Sequence, residues 1–335
     1  MANVAPFRAY RYSSENLSDL VTQPYDKITP AMRLKYLQKS PYNLVRVILP
    51  DTYPAASTTL SEWISSGVLK KDPLPAFFAY YQTFKAPDTG ETSVRKGFIG
   101  LGAVEDYSTK VVHRHEQTLS GPKKDRLEVL RHTQAHFGQL FMLYPDPQAE
   151  VEQVLDQSAL AAPTASVEDE YGAEHRMWRI TDPARIALIQ ERMAGKKLLI
   201  ADGHHRYETA LAFRDENPDL PGARYVMMTF VNLHSPGLKI LATHRLCSGL
   251  PGFELSSFLE RAAGRFPVRE LGSLQDFRAG IGVASGNRLF ALETPPGSLD
   301  VRVLHSTVLG ELLGIGEEAV RDEKHLRYTR GVEAA

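Results

Sequence analysis

The chain has 335 residues, enough to bury a large core and to form two or three subdomains, and 43% hydrophobic against 24% charged residues place it among globular rather than disordered proteins. Thirty-nine Lys and Arg against forty Asp and Glu leave a net charge of -1, so no basic surplus points to a nucleic-acid partner. Cys247 is the only cysteine, which excludes a disulfide frame and a thiolate metal cluster and suits a small buried apolar side chain. Residues 1–10 carry no apolar signal core and no later run is long enough to cross a bilayer, so a soluble, cytoplasmic protein with no membrane partner is expected.

In chain order, residues 6–11 read as extended and Gln23-Pro24-Tyr25-Asp26 as a turn. A helix is expected to start at Ile28-Thr29-Pro30-Ala31, with Thr29 as cap and Pro30 in the first helical position. Residues 43–49 are β-rich and stop at Pro50. Residues 58–66 read as a helix with Leu60, Trp63 and Ile64 on one face, and Trp63 and Trp178 read as core. Residues 77–84 and 96–104 read as paired strands around Pro87-Asp88-Thr89-Gly90. The glycines of Gly97-Phe98-Ile99-Gly100-Leu101-Gly102 fall in that strand pattern, with no following Lys-Ser/Thr, so they do not form a phosphate loop.

A second segment is expected from about 111, opened by a strand at 110–112, then a helix over 125–136 and a strand over 140–144. Residues 146–180, rich in Ala, Glu and Asp up to 170, read as a peripheral insertion. A helix over 182–193 leads into strand, turn and helix over 198–213, and 224–233 and 238–244 read as two strands around Ser235-Pro236-Gly237. A third segment begins at Gly249. Residues 331–335 end without a capping signal, which points to a shortened form of something longer. The expected segments are therefore 1–110, 111–248 and 249–335, in an α+β fold.

The densest chemistry lies in Ala201-Asp202-Gly203-His204-His205-Arg206-Tyr207-Glu208. An apolar run ends at Asp-Gly, and a helix-prone segment follows. The turn delivers His204, His205 and Arg206 to a helix N-terminus, where unpaired N–H groups and the helix dipole favour an anion. Arg206 adds a fork that matches phosphate oxygens. Asp202 reads equally well as the helix N-cap or as a catalytic or Mg²⁺-binding carboxylate. The second cluster is His113-Arg114-His115-Glu116-Gln117-Thr118, followed by Lys123, Lys124, Asp125 and Arg126. Alone it reads as a solvated, self-neutralising loop. Paired with the first cluster it supplies what phosphoryl transfer needs: a base, cations for the phosphates and a carboxylate for Mg²⁺. His132 and His136, four apart, read as a structural pair sooner than as zinc ligands, since no third ligand accompanies them. His244-Arg245 reads either as a solvated strand end or as a reach into the site.

The Asp-Gly-x-His-Arg-Tyr turn after a strand resembles the ParB/sulfiredoxin-like fold, and the upstream His115-Glu116 with Asp125-Arg126-Leu127 resembles its free-L-serine kinase branch. That resemblance implies transfer of a nucleotide phosphate to the hydroxyl of serine, with Glu116 as base and Asp202 to Arg206 on the phosphates. A longer match, carried by Pro24-Tyr25-Asp26, Ser40-Pro41-Tyr42-Asn43, His115-Glu116-x-Thr118, the 201–210 stretch and Thr243-His244-Arg245, resembles the prokaryotic family known as domain of unknown function 1015. The resemblance implies a small-molecule kinase that uses Mg²⁺ and ADP or ATP. Its implied site is Glu116, Asp202 and His115 for catalysis, and Gly203, His204, His205, Arg206, Thr118, Arg126 and Arg245 for the nucleotide. Two other classes fit less well. A nucleotide-binding regulatory module needs no base, and a metal-dependent hydrolase would use His113, His115, Glu116 and Asp202.

Overall fold

Local capping chemistry sets most of the element boundaries. The computed structural model of the chain describes residues 2–14, 16–87, 89–114, 120–239, 243–316, 319 and 324–330. β1 (Val4–Ala5) and β2 (Tyr10–Tyr12) open the chain. α1 (Pro30–Lys39) starts as expected: Thr29 Oγ1 accepts a hydrogen bond from Met32 N at 3.3 Å, and Pro30 needs no acceptor. Residues 43–49 depart from their β-rich composition. Buried Asn43 accepts from Val45 N through Oδ1 at 3.0 Å and donates through Nδ2 to Asp19 O at 2.7 Å. This side-chain turn outweighs strand propensity, and Val45, Val47 and Ile48 are buried on the short α2 (Val45–Ile48). α3 (Tyr53–Ser65), capped by Thr52, buries Trp63, and β3 (Leu69–Lys71) then pairs with β2.

β4 (Phe77–Lys85) and β5 (Thr92–Ala103) form the expected hairpin, with Lys85 facing Thr92 and Phe78 facing Ile99. Then come β6 (Val112–His113), α4 (Ser120–Thr133), β7 (Leu140–Tyr144), α5 (Glu150–Ser158), β8 (Ala165–Glu168) and β9 (Glu174–Ile180). α6 (Pro183–Ala194) starts on Asp182, whose Oδ1 accepts from Arg185 N at 2.8 Å. β10 (Leu198–Asp202), α7 (His204–Glu216) and β11 (Tyr225–Asn232) complete the first compact unit, Met1–Lys239.

Its sheet is mixed, in the order β6-β10-β7-β11-β5-β4-β9-β8, with β1 beside the far end of β5. The expected segments 1–110 and 111–248 thus contribute strands to one sheet. Residues 146–180 are not peripheral. β9 pairs with β4 over seven residue pairs from Phe77↔Ile180 to Thr83↔Glu174, and its Trp178 and Ile180 are buried in the main core. That strand was concealed because Glu174, His175, Arg176 and Arg179 make it read as polar just after an acidic stretch. The glycines of 97–102 do lie in a strand, as expected.

The second unit, Ile240–Ala335, is built around β12 (Thr243–Cys247), α8 (Leu255–Ala263), β13 (Val268–Leu271), β14 (Ile281–Ser285), β15 (Arg288–Leu292), α9 (Asp300–Val303) with π-helical turns over Leu304–Leu312, and β16 (Leu326–Arg330). Phe258, Ala262, Phe266, Ile281, Leu292, Val308 and Leu312 make its core. β12 pairs with β16; of the strand expected over 238–244, residues 240–242 lie outside the described residues. At the end of β11, Asn232 Oδ1 accepts from Asp146 N at 3.0 Å and from His234 N at 3.1 Å. Among the described residues no helix is long and apolar enough to cross a membrane.

Gly97 is where β5 comes closest to the backbone of β11: a Cβ there would lie 2.5 Å from Phe230 O and 2.8 Å from Val231 Cγ2. Gly97→Ala is expected to cost about 1–3 kcal/mol by denaturant unfolding, whereas Gly195→Ala, with no atom within 4 Å of its Cβ, stays near neutral.

Candidate functional site

β10 presents Leu198 and Ile200 to the core, and a bulge between Ile200 and Asp202 shifts the register so that Asp202 faces Phe141 of β7. Gly203 follows with φ +97, where a side chain would be strained and a Cβ would sit 2.8 Å from Leu140 Cδ2. This glycine, not Asp202, holds the N-cap position of α7, and no side chain caps the helix. Asp202 instead pairs with Arg206 one turn on, Oδ2 to Nη2 at 2.6 Å, and Arg206 Nη1 donates to Gln139 O. The first helical N–H groups have no intrahelical acceptor. His204 is buried, His205 half-buried.

Asp202 and Arg206 line a cavity of about 630 Å³, together with Tyr25, Arg126, His136, Gln139 and Thr229, and with Tyr80, Gln82, Arg95 and His175 from the sheet. Its volume suits a small-molecule ligand. Gly203, His204 and His205 are not among its lining residues. Arg126 is expected on the phosphates, and it does line the cavity, but its fork is already engaged. Nε and Nη2 donate to Asp125 Oδ2 at 2.8 and 2.5 Å, Nη1 donates to Ile48 O at 2.6 Å, and the Tyr25 ring stacks 4.3 Å away. Tyr25 belongs to the Pro24-Tyr25-Asp26 motif, which so acquires a place in the wall. Asn43 of the second motif acts structurally, as described above.

β6 runs parallel beside β10, with His113 opposite Leu199, and Arg114 reaches α7 through Glu208, Nη1 to Oε1 at 3.3 Å. His115, Glu116 and Thr118 lie outside the described residues. Arg245 belongs to the second unit, where its Nη2 lies 3.0 Å from His305 Nε2 and its guanidinium 5.5 Å from the Tyr328 ring centre. Burial, then Arg245, hold the His305 imidazolium below its ordinary range. His132 and His136 do not pair as metal ligands: His132 Nδ1 bonds Glu128 O at 2.8 Å, while His136 faces the cavity. No group of three His, Cys, Asp or Glu side chains fit to hold a metal occurs among the described residues. For Mg²⁺, Asp202 offers one carboxylate oxygen, Oδ1, without a partner among the described residues, and Mg²⁺ commonly takes one or two carboxylates plus substrate phosphates.

Sequence reasoning missed the other wall. Tyr80 Oη lies 2.6 Å from His175 Nδ1, and His175 Nε2 lies 3.2 Å from Asp169 Oδ2. Asp169 Oδ1 accepts from Tyr171 N and Ala173 N, each at 2.9 Å. Burial works against that carboxylate, yet these N–H groups and His175 hold its pKa below the ordinary value. Burial raises the Tyr80 phenol, keeping it protonated. The available signal was the alternation of β4, which sends Tyr80 and Gln82 to one face. His175 gave none, because its strand was read as part of the 146–180 insertion.

Fold and site together define a mixed α/β protein with an arginine-lined cavity at a strand–turn–helix junction. The chain belongs to the family described as protein of unknown function (DUF1015), whose profile matches residues 4–312. No curated protein and no solved structure matches it.

Burial pushes the His136 imidazolium down to about 4, against a backbone hydrogen bond to Tyr225 that acts the other way. The folded pKa lies below the ordinary 6.5, so the unfolded chain takes up the proton first. The contribution of neutral His136 is intact above pH 6.5 and is lost as pH falls toward 4. Urea midpoints measured at pH 7 and 4.5 should therefore drop further for the wild type than for His136→Gln.

Proposed function

We propose that the cavity of the first unit binds a nucleotide phosphate at the Asp202–Arg206 turn and a small hydroxyl compound beside it, and that the protein transfers the phosphate to that hydroxyl. The observation that carries this reading is Arg206, held 2.6 Å from Asp202 in the wall of a ligand-sized cavity at an uncapped helix N-terminus. Cation and carboxylate meet there at the start of a helix whose dipole favours an anion, and phosphoryl transfer is mainly positioning and charge stabilisation. The relation to ParB/sulfiredoxin-like serine kinases belongs to this proposal, and with it free L-serine as acceptor and ADP or ATP as donor.

In this scheme Glu116, with His115 beside it, takes the acceptor's hydroxyl proton. The acceptor oxygen bonds to the terminal phosphorus while the bond from phosphorus to the bridging oxygen breaks, releasing AMP from ADP or ADP from ATP. Mg²⁺ would neutralise charge on the donor phosphates, with Asp202 as its protein ligand. Arg206 holds Asp202 in place and spreads positive charge over the leaving group. Thr118 and the Gly203–His205 backbone would add hydrogen bonds to the phosphates, and Arg126 would close the wall with Tyr25. One observation favours the regulatory reading: Arg206 is already bound to Asp202 and Gln139 O, a pairing that an arriving phosphate would exchange.

The test is incubation of the full chain with L-serine, Mg²⁺ and ADP or ATP, with O-phosphoserine read by mass spectrometry. Glu116→Gln should lower turnover by roughly 10²–10⁴-fold with nucleotide affinity nearly unchanged, and Arg206→Ala should weaken nucleotide binding. Activity that survives Glu116→Gln removes the base assignment. Nucleotide binding without turnover on any hydroxyl acceptor would turn the reading to a regulatory module.

A further inference from the structure

The sheet wall of the cavity is a row laid across three strands. The β4–β5 register sets Arg95 opposite Gln82, and the β4–β9 register sets Gln82 opposite His175. Directly paired residues share a face, as do residues two apart on one strand, so Tyr80 joins them. All four line the cavity.

Arg95 differs from the other arginines there. Arg126 and Arg206 each bind a carboxylate and a backbone carbonyl. Arg95 lies between the rings of Phe84 and Phe141, 5.1 and 5.3 Å from their centres, and no described residue accepts a hydrogen bond from it. Its Nε is buried without a partner. A half-buried cation with no counter-charge is costly, and a ligand anion removes that cost.

The neighbouring chain of hydrogen bonds has a fixed direction. Ionised Asp169 only accepts, so His175 carries its proton on Nε2. Nδ1 then accepts from Tyr80 O–H at 2.6 Å and from Gln82 Nε2 at 3.4 Å. The lone pairs of Tyr80 Oη are left to accept from a ligand N–H or O–H. A donor cation and an acceptor oxygen thus stand side by side.

We infer that Arg95 and Tyr80 form a recognition subsite for a small organic acid, Arg95 taking its carboxylate and Tyr80 a neighbouring amino or hydroxyl group. A planar carboxylate matches both the guanidinium fork and its single charge. A phosphate dianion would leave one charge uncompensated against two phenyl rings. The subsite deepens the reading of the cavity proposed above, and rests on it only in that the acid bound here is the phosphate acceptor.

Calorimetry on the full chain tests the subsite without any turnover. The probes are L-serine, L-alanine and L-lactate, with L-serinamide and inorganic phosphate as the carboxylate-free comparisons. At least one acid should bind, L-serinamide should not, and Arg95→Met, which keeps the bulk between the rings, should weaken the acid by about 10–100-fold, as loss of a charge-assisted pair does. Tyr80→Phe, isosteric and expected to fold whether or not Arg95→Met does, should weaken it by about 3–10-fold. ADP binding should be unchanged in both variants. The inference is overturned if no acid binds, if L-serinamide binds as well as L-serine, if both variants bind acid as the wild type does, or if Arg95→Met loses inorganic phosphate instead. Acid binding with this pattern but no phosphoryl transfer would keep the subsite and remove the kinase; transfer with KM for L-serine unmoved in both variants would do the reverse.

Discussion

β5 passes so close to its neighbours that three of its positions admit no side chain. A Cβ on Gly97 would meet Phe230 O, one on Gly100 would meet the Phe77 ring at 2.7 Å, and one on Gly102 would meet the Met228 side chain. The approach lets Phe98 stack on Phe230 at 4.8 Å and meet Phe77 edge-on at 5.4 Å, so the centre of the core is aromatic and closely packed. It also fixes register. A slip of one residue would send every side chain of β4 and β5 to the opposite face. Arg95, Gln82 and His175 form a row because that slip is forbidden.

The cavity has two kinds of wall. One is made by a turn and helix starts: Gly203 at φ +97 brings Arg206 back onto Asp202, and Arg126 is tied to Asp125 and Ile48 O. These arginines are held in place by partners from the chain itself. The other wall is rigid sheet, where Tyr80, His175 and Asp169 form an ordered chain and Arg95 keeps its charge without a partner among the described residues. A ligand with two separated polar groups would meet partnered arginines on one wall and an unpartnered one on the other. Binding energy from such a remote group serves to orient the reacting one.

The turn and its helix were legible because their signals are local. Leu198 to Asp202 is apolar and short, Gly203 supplies a backbone state that other residues avoid, and capping residues such as Thr29 and Asp182 mark their helices. The β4–β5 hairpin was legible from its alternation. What escaped depends on long-range pairing or on a single side chain. Asn43 converts a β-rich stretch into a helical turn, and Asn232 holds the end of β11 against Asp146. β9 looks polar because one face opens to the cavity, so His175 and Asp169 were invisible as site residues. Asp202 reads as a cap until the geometry shows it spent on Arg206.

The central claim is that one cavity holds a phosphate donor against the Asp202–Arg206 turn and a small acid against the sheet. A crystal structure of the full chain grown with Mg²⁺, a non-transferable ATP analogue and L-serine tests it most directly. The account predicts nucleotide phosphates within hydrogen-bonding distance of Arg206 and the first N–H groups of α7, and a serine carboxylate on Arg95 in the same cavity. Nucleotide bound elsewhere on the molecule, with the cavity holding only solvent, would contradict it.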